Sequence, residues 1–418
     1  MSWLQRMAGE APVPVYVARG IDASHDDLAA LALDANIELV ATPRHAAVLL
    51  VVGTVPAKFH DGLRRLHDQM PRPATTLWYR SRPLPEFDAP HTLSKTDRLA
   101  PTLTDLYRTL YGRTPQPVLL PDRPPAPWRG LGDYGQGGEG MMGGTPYGRP
   151  MAMTDDDLRD GLQLDALGFT LGPFFGPWAP GLLMHMSLQG DVVQRVSVQS
   201  PPFPQAPPTV FGAALRGAVP IADLELARAR SHLFGLAHSL ETAGLRSLAL
   251  RTLAHAARLR PGVDIGLMRG WLRRCGLFAS VPPGCGQLTR TQAIRIGGTA
   301  ARAAGQPMDA RLEDPAYRRL GFSVIVQDAG DCRARWRQWL GEIEQSLALA
   351  DRAAGENVYT DQTEVVETPR GRWRRGAGIA DASAVLEELL PGMEWSEAMA
   401  TIASLDVAAG EPGEGGEP

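Results

Sequence analysis

A segment dense in glycine and proline divides this chain of 418 residues into two parts. The segment, residues 121–150, reads PDRPPAPWRGLGDYGQGGEGMMGGTPYGRP. No regular element of any length fits there, because proline lacks a backbone N–H and glycine disfavours both helix and strand. We therefore expect a linker at 121–150 between a domain at 1–120 and a second domain at 151–406. A small, acidic and glycine-rich tail at 407–418 is expected to be disordered.

The first 120 residues alternate short runs rich in β-branched side chains with helical patterns. Val13–Ala18, Ala47–Val52 and Thr75–Tyr79 are the candidate strands, and Ala57–Gln69 carries apolar residues at helical spacing. Strands that alternate with helices are typical of a parallel sheet covered by helices. The sequence therefore predicts a small α/β domain, a parallel sheet with flanking helices.

The second domain is predicted to be α+β and mainly a helical bundle. Two apolar runs flank Gln189-Gly190-Asp191 and indicate an N-terminal β-hairpin at 182–198. Apolar residues then recur at intervals of three and four in Asp223–Leu240 and in Asp331–Ala350. Such stripes need partner helices to cover them, so we expect a bundle spanning 222–406.

Charge argues against nucleic-acid binding, and hydropathy argues against a membrane-spanning segment. The 42 basic and 46 acidic residues give a formal charge of -4, which favours no binding to nucleic acid. The longest apolar run, Ala46–Gly53, is well short of the ~18 residues that span a bilayer. We expect a chain without a direct membrane span, in a reducing compartment, since its three cysteines are too few for a disulfide framework.

A glycine motif in the linker has two interpretations. Gly130, Gly132 and Gly135 match G-x-G-x-x-G, which in dinucleotide-binding proteins follows a strand and opens a helix. Prolines precede the motif here and further glycines follow it. We favour a linker over a nucleotide site.

Histidines and cysteines give no active site by themselves. His232 and His238 are six apart, point to different sides of a helix, and are expected to be surface or capping residues. Cys275, Cys285 and Cys332 each stand alone in sequence. The arginines around Cys332 would lower a thiol pKa, but a buried structural thiol is the favoured interpretation.

Ala41–Trp78 resembles the small electron-transfer subunit (20-kDa, B-type) of respiratory complex I and of the related energy-converting [NiFe] hydrogenases. The matched features are Pro43-Arg44, Val51-Val52-Gly53-Thr54, Lys58 and Asp68-Gln69-Met70-Pro71-Arg72-Pro73. Residues 120–127, LPDRPPAP, are similar to that subunit's v-P-G-C-P-P-x-P segment.

The rest of the chain resembles the large (49-kDa, D-type) subunit that partners this small subunit. The similarity runs in order through these segments: Gly172-Pro173, Glu225–Leu233, Gly297–Gly305, Asp309–Arg311, Tyr317, Gly330-Asp331, Glu342–Ser346, Thr368–Gly371 and Ser404–Asp406. The resemblance implies a fusion of two normally separate subunits.

The metal ligands of that family are missing from this sequence. Residues 1–120 contain no cysteine, and Arg123 occupies a cysteine segment of the family. An iron-sulfur cluster is held by thiolates, which a guanidinium cannot replace. The C-x-x-C pairs of a nickel-iron centre are absent, and the early segment that carries a quinone-binding histidine in complex I reads GPFFGPWAP at 172–180. We therefore expect no cofactor and no metal.

The charged residues retained from the family motifs are the candidate site. They are Glu225, Arg228, His232, Arg302, Asp309 and Arg311. Charges inside a packed bundle must be paired, so we expect a structural ion-pair network, with residual contact to an anion or a quinone as the alternative. No catalytic residue is assigned.

The resemblance implies a peripheral subunit of a complex I-like membrane assembly, on the cytoplasmic face of the cell membrane. Its expected partners are antiporter-like and other membrane subunits. Without metal ligands, a redox-silent structural or gating role is the first hypothesis, and whether the chain is an enzyme stays open. The second is an oxidoreductase subunit that binds quinone between the two halves, with clusters supplied by a partner. A soluble binding module without a membrane partner is the third.

Overall fold

The computed structural model describes residues 7, 10–112 and 153–407, apart from residues 24, 86, 88–90, 95, 206, 362 and 376–379. The linker, with Arg123 and the glycine motif, and residues 408–418 lie outside the described residues. The predictions for those segments, and the domain boundaries that rest on them, stay predictions.

The amino-terminal half is built on a parallel sheet. Within the described residues the sheet has five strands in the spatial order β2-β1-β3-β4-β5. The strands are β1 (Val13–Arg19), β2 (Ile37–Leu39), β3 (Val48–Val52), β4 (Thr75–Tyr79) and β5 (His91–Leu93). The α/β prediction and its three strands are confirmed. The sequence analysis missed β2 and β5, because strands of three residues are too short to show a period.

Helices and the second half of the chain together cover the two faces of this sheet. The helices are α1 (His25–Ala32), α2 (His60–Asp68) and α3 (Leu99–Gly112). Side chains alternate between faces along a strand, so Leu50 of β3 packs with α1 and α3 while Leu49 packs with α2. The face with Leu49 also receives Phe174 and Phe203 from beyond the linker. The two halves therefore share one hydrophobic core.

The predicted hairpin is part of a larger antiparallel sheet. In the described part of the second half this sheet has four strands in sequence order: β6 (Met153–Asp156), β7 (Gln163–Leu171), β8 (Leu183–Gln189) and β9 (Val192–Ser200). The pairing of β8 with β9 confirms the hairpin, but the prediction omitted the other two strands of the sheet. The pattern hid β6, which is polar, and β7, whose Leu167 is 62% exposed, because neither strand alternates cleanly.

Helices dominate the remainder, as predicted. They are α4 (Thr209–Ala214), α5 (Ile221–Thr242), α6 (Arg246–Ala257), α7 (Gly266–Leu272), α8 (Arg290–Ile296), α9 (Gly298–Ala303), α10 (Pro315–Arg319), α11 (Cys332–Glu356), α12 (Leu386–Leu389) and α13 (Trp395–Leu405). A C-terminal hairpin that the sequence analysis missed, β10 (Val365–Thr368) paired with β11 (Gly371–Arg374), interrupts the bundle.

The two apolar stripes identified in the sequence meet in one core. The stripe of α5 and that of α11 share a cluster with α6 and α7 that includes Trp336 and Trp339. α11 starts where Asp331 accepts a hydrogen bond from the amide of Ala334 at 2.7 Å, and it stops at Asn357, whose φ is 52°. None of the helices described is long and apolar enough to cross a membrane.

Candidate functional site

The six candidate residues lie together in the interior of the second half. Glu225, Arg228 and His232 follow one another at intervals of three and four on α5. The others, Arg302, Asp309 and Arg311, lie on α9 and at the short 3-10 turn after it. None of the six is more than 8% exposed, so the expectation that His232 is a surface residue is wrong. Its ring points inward because the face of α5 that carries it packs on α11.

Glu225 joins four elements through its two carboxylate oxygens. One oxygen accepts from Arg228 Nε at 3.2 Å and from the Tyr317 hydroxyl at 2.7 Å. The other accepts from Arg311 Nη1 at 3.2 Å and from Ser346 Oγ at 2.7 Å. The predicted pairing of Glu225 with Arg228 on one helix is present. Glu225 also ties α5 to α10, to α11 and to the 3-10 turn.

Arg302 is the most highly connected cation among the described residues of this network. Its Nε and Nη2 donate to the two oxygens of Glu342 at 2.7 and 3.0 Å, the two-pronged geometry that a planar guanidinium favours. Its Nη1 donates to Glu367 Oε1 at 2.7 Å and to the carbonyl of Met308 at 3.1 Å. Each of its three nitrogens therefore already has a protein acceptor, and the side chain is fully buried.

Arg311 is held in a similar way. Its Nε and Nη2 donate to the carboxylate of Asp309 at 3.0 and 2.7 Å, and its guanidinium lies 4.2 Å from the centre of the Phe322 ring. Asp309 also caps the 3-10 turn by accepting from the Arg311 amide at 2.9 Å. One local motif therefore fixes both the backbone turn and the ion pair.

Glu342 and Glu367 are network members that the sequence analysis did not assign. Glu342 belongs to the segment Glu342–Ser346 of the family resemblance and lies beside the apolar stripe of α11. The sequence therefore contained a signal for a buried charge at this position. Glu367 lies on the four-residue strand β10, where no pattern marks it. Its Oε2 accepts from the amide of Ala310 at 3.0 Å, and its backbone carbonyl accepts from Arg228 Nη2 at 2.7 Å.

The charges of this network balance if one carboxyl group carries a proton. Burial raises the pKa of the Glu367 carboxyl, and the nearby Asp309 raises it further. Burial acts in the same sense on Glu342, but Arg302 outweighs it and holds the pKa of Glu342 well below its usual range. With Glu367 protonated, three carboxylates (Glu225, Asp309 and Glu342) face three guanidinium groups (Arg228, Arg302 and Arg311). The geometry favours a structural network over a site for an anion or a quinone.

A separate cavity of about 740 Å³ lies between the two halves of the chain. The first half contributes residues around Arg19 and His25, and the second contributes the loop 178–180, one side of α5 and the segments 368–370 and 402–407. Trp178, Phe234 and Ile402 are among its apolar lining residues. Sequence analysis could not find this cavity, because its walls come from segments that are far apart in the chain.

Polar groups of the cavity are mostly bound by the protein itself. Arg19 Nη2 donates to the carbonyls of Gly176 and Trp178 at 3.0 and 2.6 Å. Arg370 forms a two-pronged ion pair with Asp406, at 3.0 and 3.2 Å. Of the lining side chains described, four are arginines and four are aspartates: Arg19, Arg80, Arg230, Arg370, Asp22, Asp26, Asp223 and Asp406. The cavity therefore has no excess of formal charge.

Two histidines face this cavity. His25 stacks against Phe234 at 6.2 Å between ring centres, and His238 Nε2 lies 3.0 Å from the carbonyl oxygen of Pro177. Enclosure by the protein around the cavity, together with the positive charge of Arg370 near His25 and of Arg19 near His238, lowers the pKa of both to about 4. Both rings are therefore neutral near pH 7. His238 was predicted to be a surface or capping residue, but it lines an internal wall.

The residues present do not fit the metal centres of the resembled family. In the described part of the chain, no group of three or more histidine, cysteine, aspartate or glutamate side chains is placed to hold a metal ion. The sequence has no cysteine before Cys275. Arg123 lies outside the described residues. A cavity with apolar lining residues and balanced formal charges does fit the ring of a quinone, which is neutral.

Comparisons with known proteins agree with part of the resemblance. Residues 277–374 match the family described as the 49 kDa subunit of the respiratory-chain NADH dehydrogenase. This segment is NADH dehydrogenase-like. It contains Arg302, Asp309, Arg311, Glu342 and Glu367, and so most of the buried network.

Two relatives are themselves D-type subunits of NADH-quinone oxidoreductases. The chain is 32% identical over 140 residues to a D-type subunit of the enzyme from Salinispora arenicola, covering 31% of this chain and 35% of that protein. It is 26% identical over 170 residues to the D-type subunit of the enzyme from Geobacillus thermodenitrificans, covering 32% and 46%. The chain thus spans less than half the length of either relative.

One solved structure with a similar chain is that of the membrane-bound sulfane sulfur reductase, an archaeal respiratory membrane complex. The match has 18% identity and a TM-score of 0.45, and covers 58% of this chain and 96% of that chain.

The proposed charge balance predicts unequal effects of two similar substitutions. Glu342→Gln leaves Arg302 without its main counter-ion and should lower the free energy of unfolding by about 3–5 kcal/mol. If Glu367 is neutral, as the charge balance requires, Glu367→Gln removes no charge and should cost only about 1–2 kcal/mol, mainly from the weakened hydrogen bond to Ala310. Urea denaturation of both variants and the wild type measures the difference. Equal losses would contradict the proton placement.

Stability should fall in two stages as the pH is lowered. His25 and His238 are held neutral in the folded state, so between about pH 6.5 and 4 the unfolded chain binds up to two more protons at these positions and is favoured. The raised pKa of Glu367 acts in the opposite sense for one proton and makes this stage shallower. Below about pH 4.5 the same applies to Glu225 and Glu342, whose folded pKa values are lowered. Denaturation midpoints measured across this range check the prediction. His238→Gln should flatten the first stage.

Proposed function

We propose that this chain is a peripheral, redox-silent subunit of a membrane assembly related to complex I. In this proposal it fuses counterparts of the small and large subunits and acts as a structural or gating part. The observation that carries the proposal is the buried network of Glu225, Arg302 and Glu342, most of which lies within the D-type segment. The chain retains this scaffold, yet residues 1–120 contain no thiol that could hold the small-subunit cluster.

The chemistry of the buried charges supports a mechanical role. The network joins α5, α9, α11 and β10 through charge-assisted hydrogen bonds, and breaking any one takes a polar partner from a buried charge. Elements connected in this way move together or not at all. Such a body can transmit a displacement from one partner to another without transferring electrons. The proposed partners are antiporter-like and other membrane subunits, on the cytoplasmic face of the membrane.

Purification from native membranes tests this proposal. A tagged full-length chain should co-purify with multi-span membrane proteins and contain no stoichiometric iron or nickel by elemental analysis and electron paramagnetic resonance. Recovery without membrane proteins would instead support a soluble binding module. Stoichiometric iron that disappears in a variant with all three cysteines changed to serine would show thiolate-bound metal and overturn the redox-silent role.

A second function is favoured by the cavity between the halves. Quinone binding there would suit a volume of about 740 Å³ with apolar walls, balanced charges and neutral histidines. Under this alternative a partner chain supplies the electrons. Arg302 does not line the cavity, so substitutions of Arg302 cannot distinguish the two functions.

A cavity-filling substitution can distinguish them. Ser231 lines the cavity on α5, and its hydroxyl donates only to the carbonyl of Ala227 within the same helix, at 2.9 Å. If quinone binds there, Ser231→Trp should abolish labelling of the assembled complex by a photoreactive short-chain quinone. The matched control Leu267→Trp, at a side chain that is 88% exposed, should not. Absence of labelling in the wild type, or equal labelling of both variants, would exclude this site.

A further inference from the structure

Two of the three cysteines lie side by side in the interior, although they are 47 positions apart in sequence. The sulfur atoms of Cys285 and Cys332 are 3.9 Å apart, and the amide of Cys332 donates to the carbonyl of Cys285 at 2.9 Å. Cysteines that stand alone in sequence are thus brought together by the fold in this pair. Cys275 has a different environment, with its sulfur 3.1 Å from the carbonyl of Leu272.

The surroundings of Cys332 stabilise a negative charge on its sulfur. Cys332 is the first residue of α11, where the helix dipole places a partial positive charge. Arg335 Nη2 lies 3.3 Å from the sulfur, and Thr401 Oγ1 lies 3.4 Å from it. Cationic neighbours and a helix N-terminus are the features that activate cysteine thiols in proteins.

Groups on the other elements around the pair make the two thiols unequal in acidity. Cys285 Sγ lies 3.6 Å from Thr401 Oγ1 and 3.7 Å from the carbonyl of Glu397, so acceptors dominate its side. The thiol of Cys332, by contrast, has its pKa lowered to about 5, through the hydrogen bond with Cys285 and the charge of Arg335. Asp331, the other charge near the start of α11, is occupied by the amides of Gly284 and Ala334.

We propose that Cys285 and Cys332 form an oxidisable dithiol site that reacts with hydroperoxides to give an intramolecular disulfide. The Cys332 thiolate attacks the peroxide oxygen, forming a sulfenic acid and releasing hydroxide. The sulfur of Cys285 then attacks the sulfur of the sulfenic acid and displaces hydroxide. This hydroxide leaves as water with the thiol proton of Cys285. Two electrons pass from the two sulfurs to the O–O bond, which is cleaved.

Geometry allows both the closure and the approach of a small oxidant. A disulfide requires sulfurs about 2.05 Å apart, and because the two backbones are already hydrogen-bonded, rotation of the side chains brings them closer. Cys332 is fully buried, and the path to it passes the neighbouring Cys285, which is 8% exposed at the base of an exposed turn, residues 282–284. Hydrogen peroxide is little larger than water, so opening of this turn admits it where a bulky disulfide would not enter.

Mass spectrometry of the full-length protein treated with hydrogen peroxide tests the site. The wild type and the control variant Cys275→Ser should each lose two hydrogens in mass and yield one cross-linked peptide pair containing Cys285 and Cys332. Cys285→Ser should instead accumulate a sulfenic acid on Cys332 that a dimedone probe traps. Cys332→Ser should do neither. None of these residues belongs to the network or to the cavity, so the result is independent of the proposed function.

The Arg335→Lys variant keeps the charge but changes the donor geometry, and it tests the role of the guanidinium. The pH at which the ultraviolet absorbance of the Cys332 thiolate appears should rise in this variant, and the rate of sulfenic acid formation near neutral pH should fall. The proposal is overturned if Cys285 and Cys332 stay reduced in the wild type under conditions that oxidise Cys275. It is equally overturned if dimedone labels Cys285 rather than Cys332.

Discussion

The pairing of Arg302 is the interaction on which the second half of this chain depends. A guanidinium removed from water is very costly unless acceptors surround it, and here the carboxyl groups of Glu342 and Glu367 and one backbone carbonyl do so. These acceptors come from α11, from β10 and from the loop after α9. The position of one arginine thus determines how three separate segments meet. Apolar residues in the same places would fill the space without fixing this register.

The buried network and the cavity occupy opposite sides of the same helix. On α5, Glu225, Arg228 and His232 face the network, whereas Arg230, Ser231 and Phe234 face the cavity. β10 makes a second connection, because Glu367 is followed directly by the cavity residues 368–370. The carbonyl of Pro369 accepts from the amide and hydroxyl of Thr299, which lies near Arg302 on α9. The network and the cavity wall are therefore connected through β10 and α9.

Sequence reasoning succeeded where one segment carries the whole signal. The apolar run of β3 and the stripes of α5 and α11 each identify their element without help from the rest of the chain. The network residues followed from one rule, that charges in a bundle must be paired, applied to motifs of a known family. The D-type similarity at 277–374 agrees with those motifs.

What could not be predicted depends on contacts between distant segments. Glu367 is a single charge on a short strand, and only its position beside Arg302 identifies its role. The cavity brings Arg19 and His25 against α5 across the linker, and the Cys285–Cys332 pair forms across 47 positions. No local period or spacing records such approaches. The exposed, irregular alternation of β7 also concealed a strand that the sheet pairing makes plain.

A double-mutant cycle between Arg302 and Glu342 tests the central claim most directly. The single variants Arg302→Leu and Glu342→Leu each leave the other member of this pair buried without its partner. The double variant removes both charges. If the network determines how the helices meet, the coupling free energy from denaturant unfolding should be about 2–3 kcal/mol, near the top of the range for contacting residues. A coupling near zero would mean that the two charges are independent, and would contradict the account.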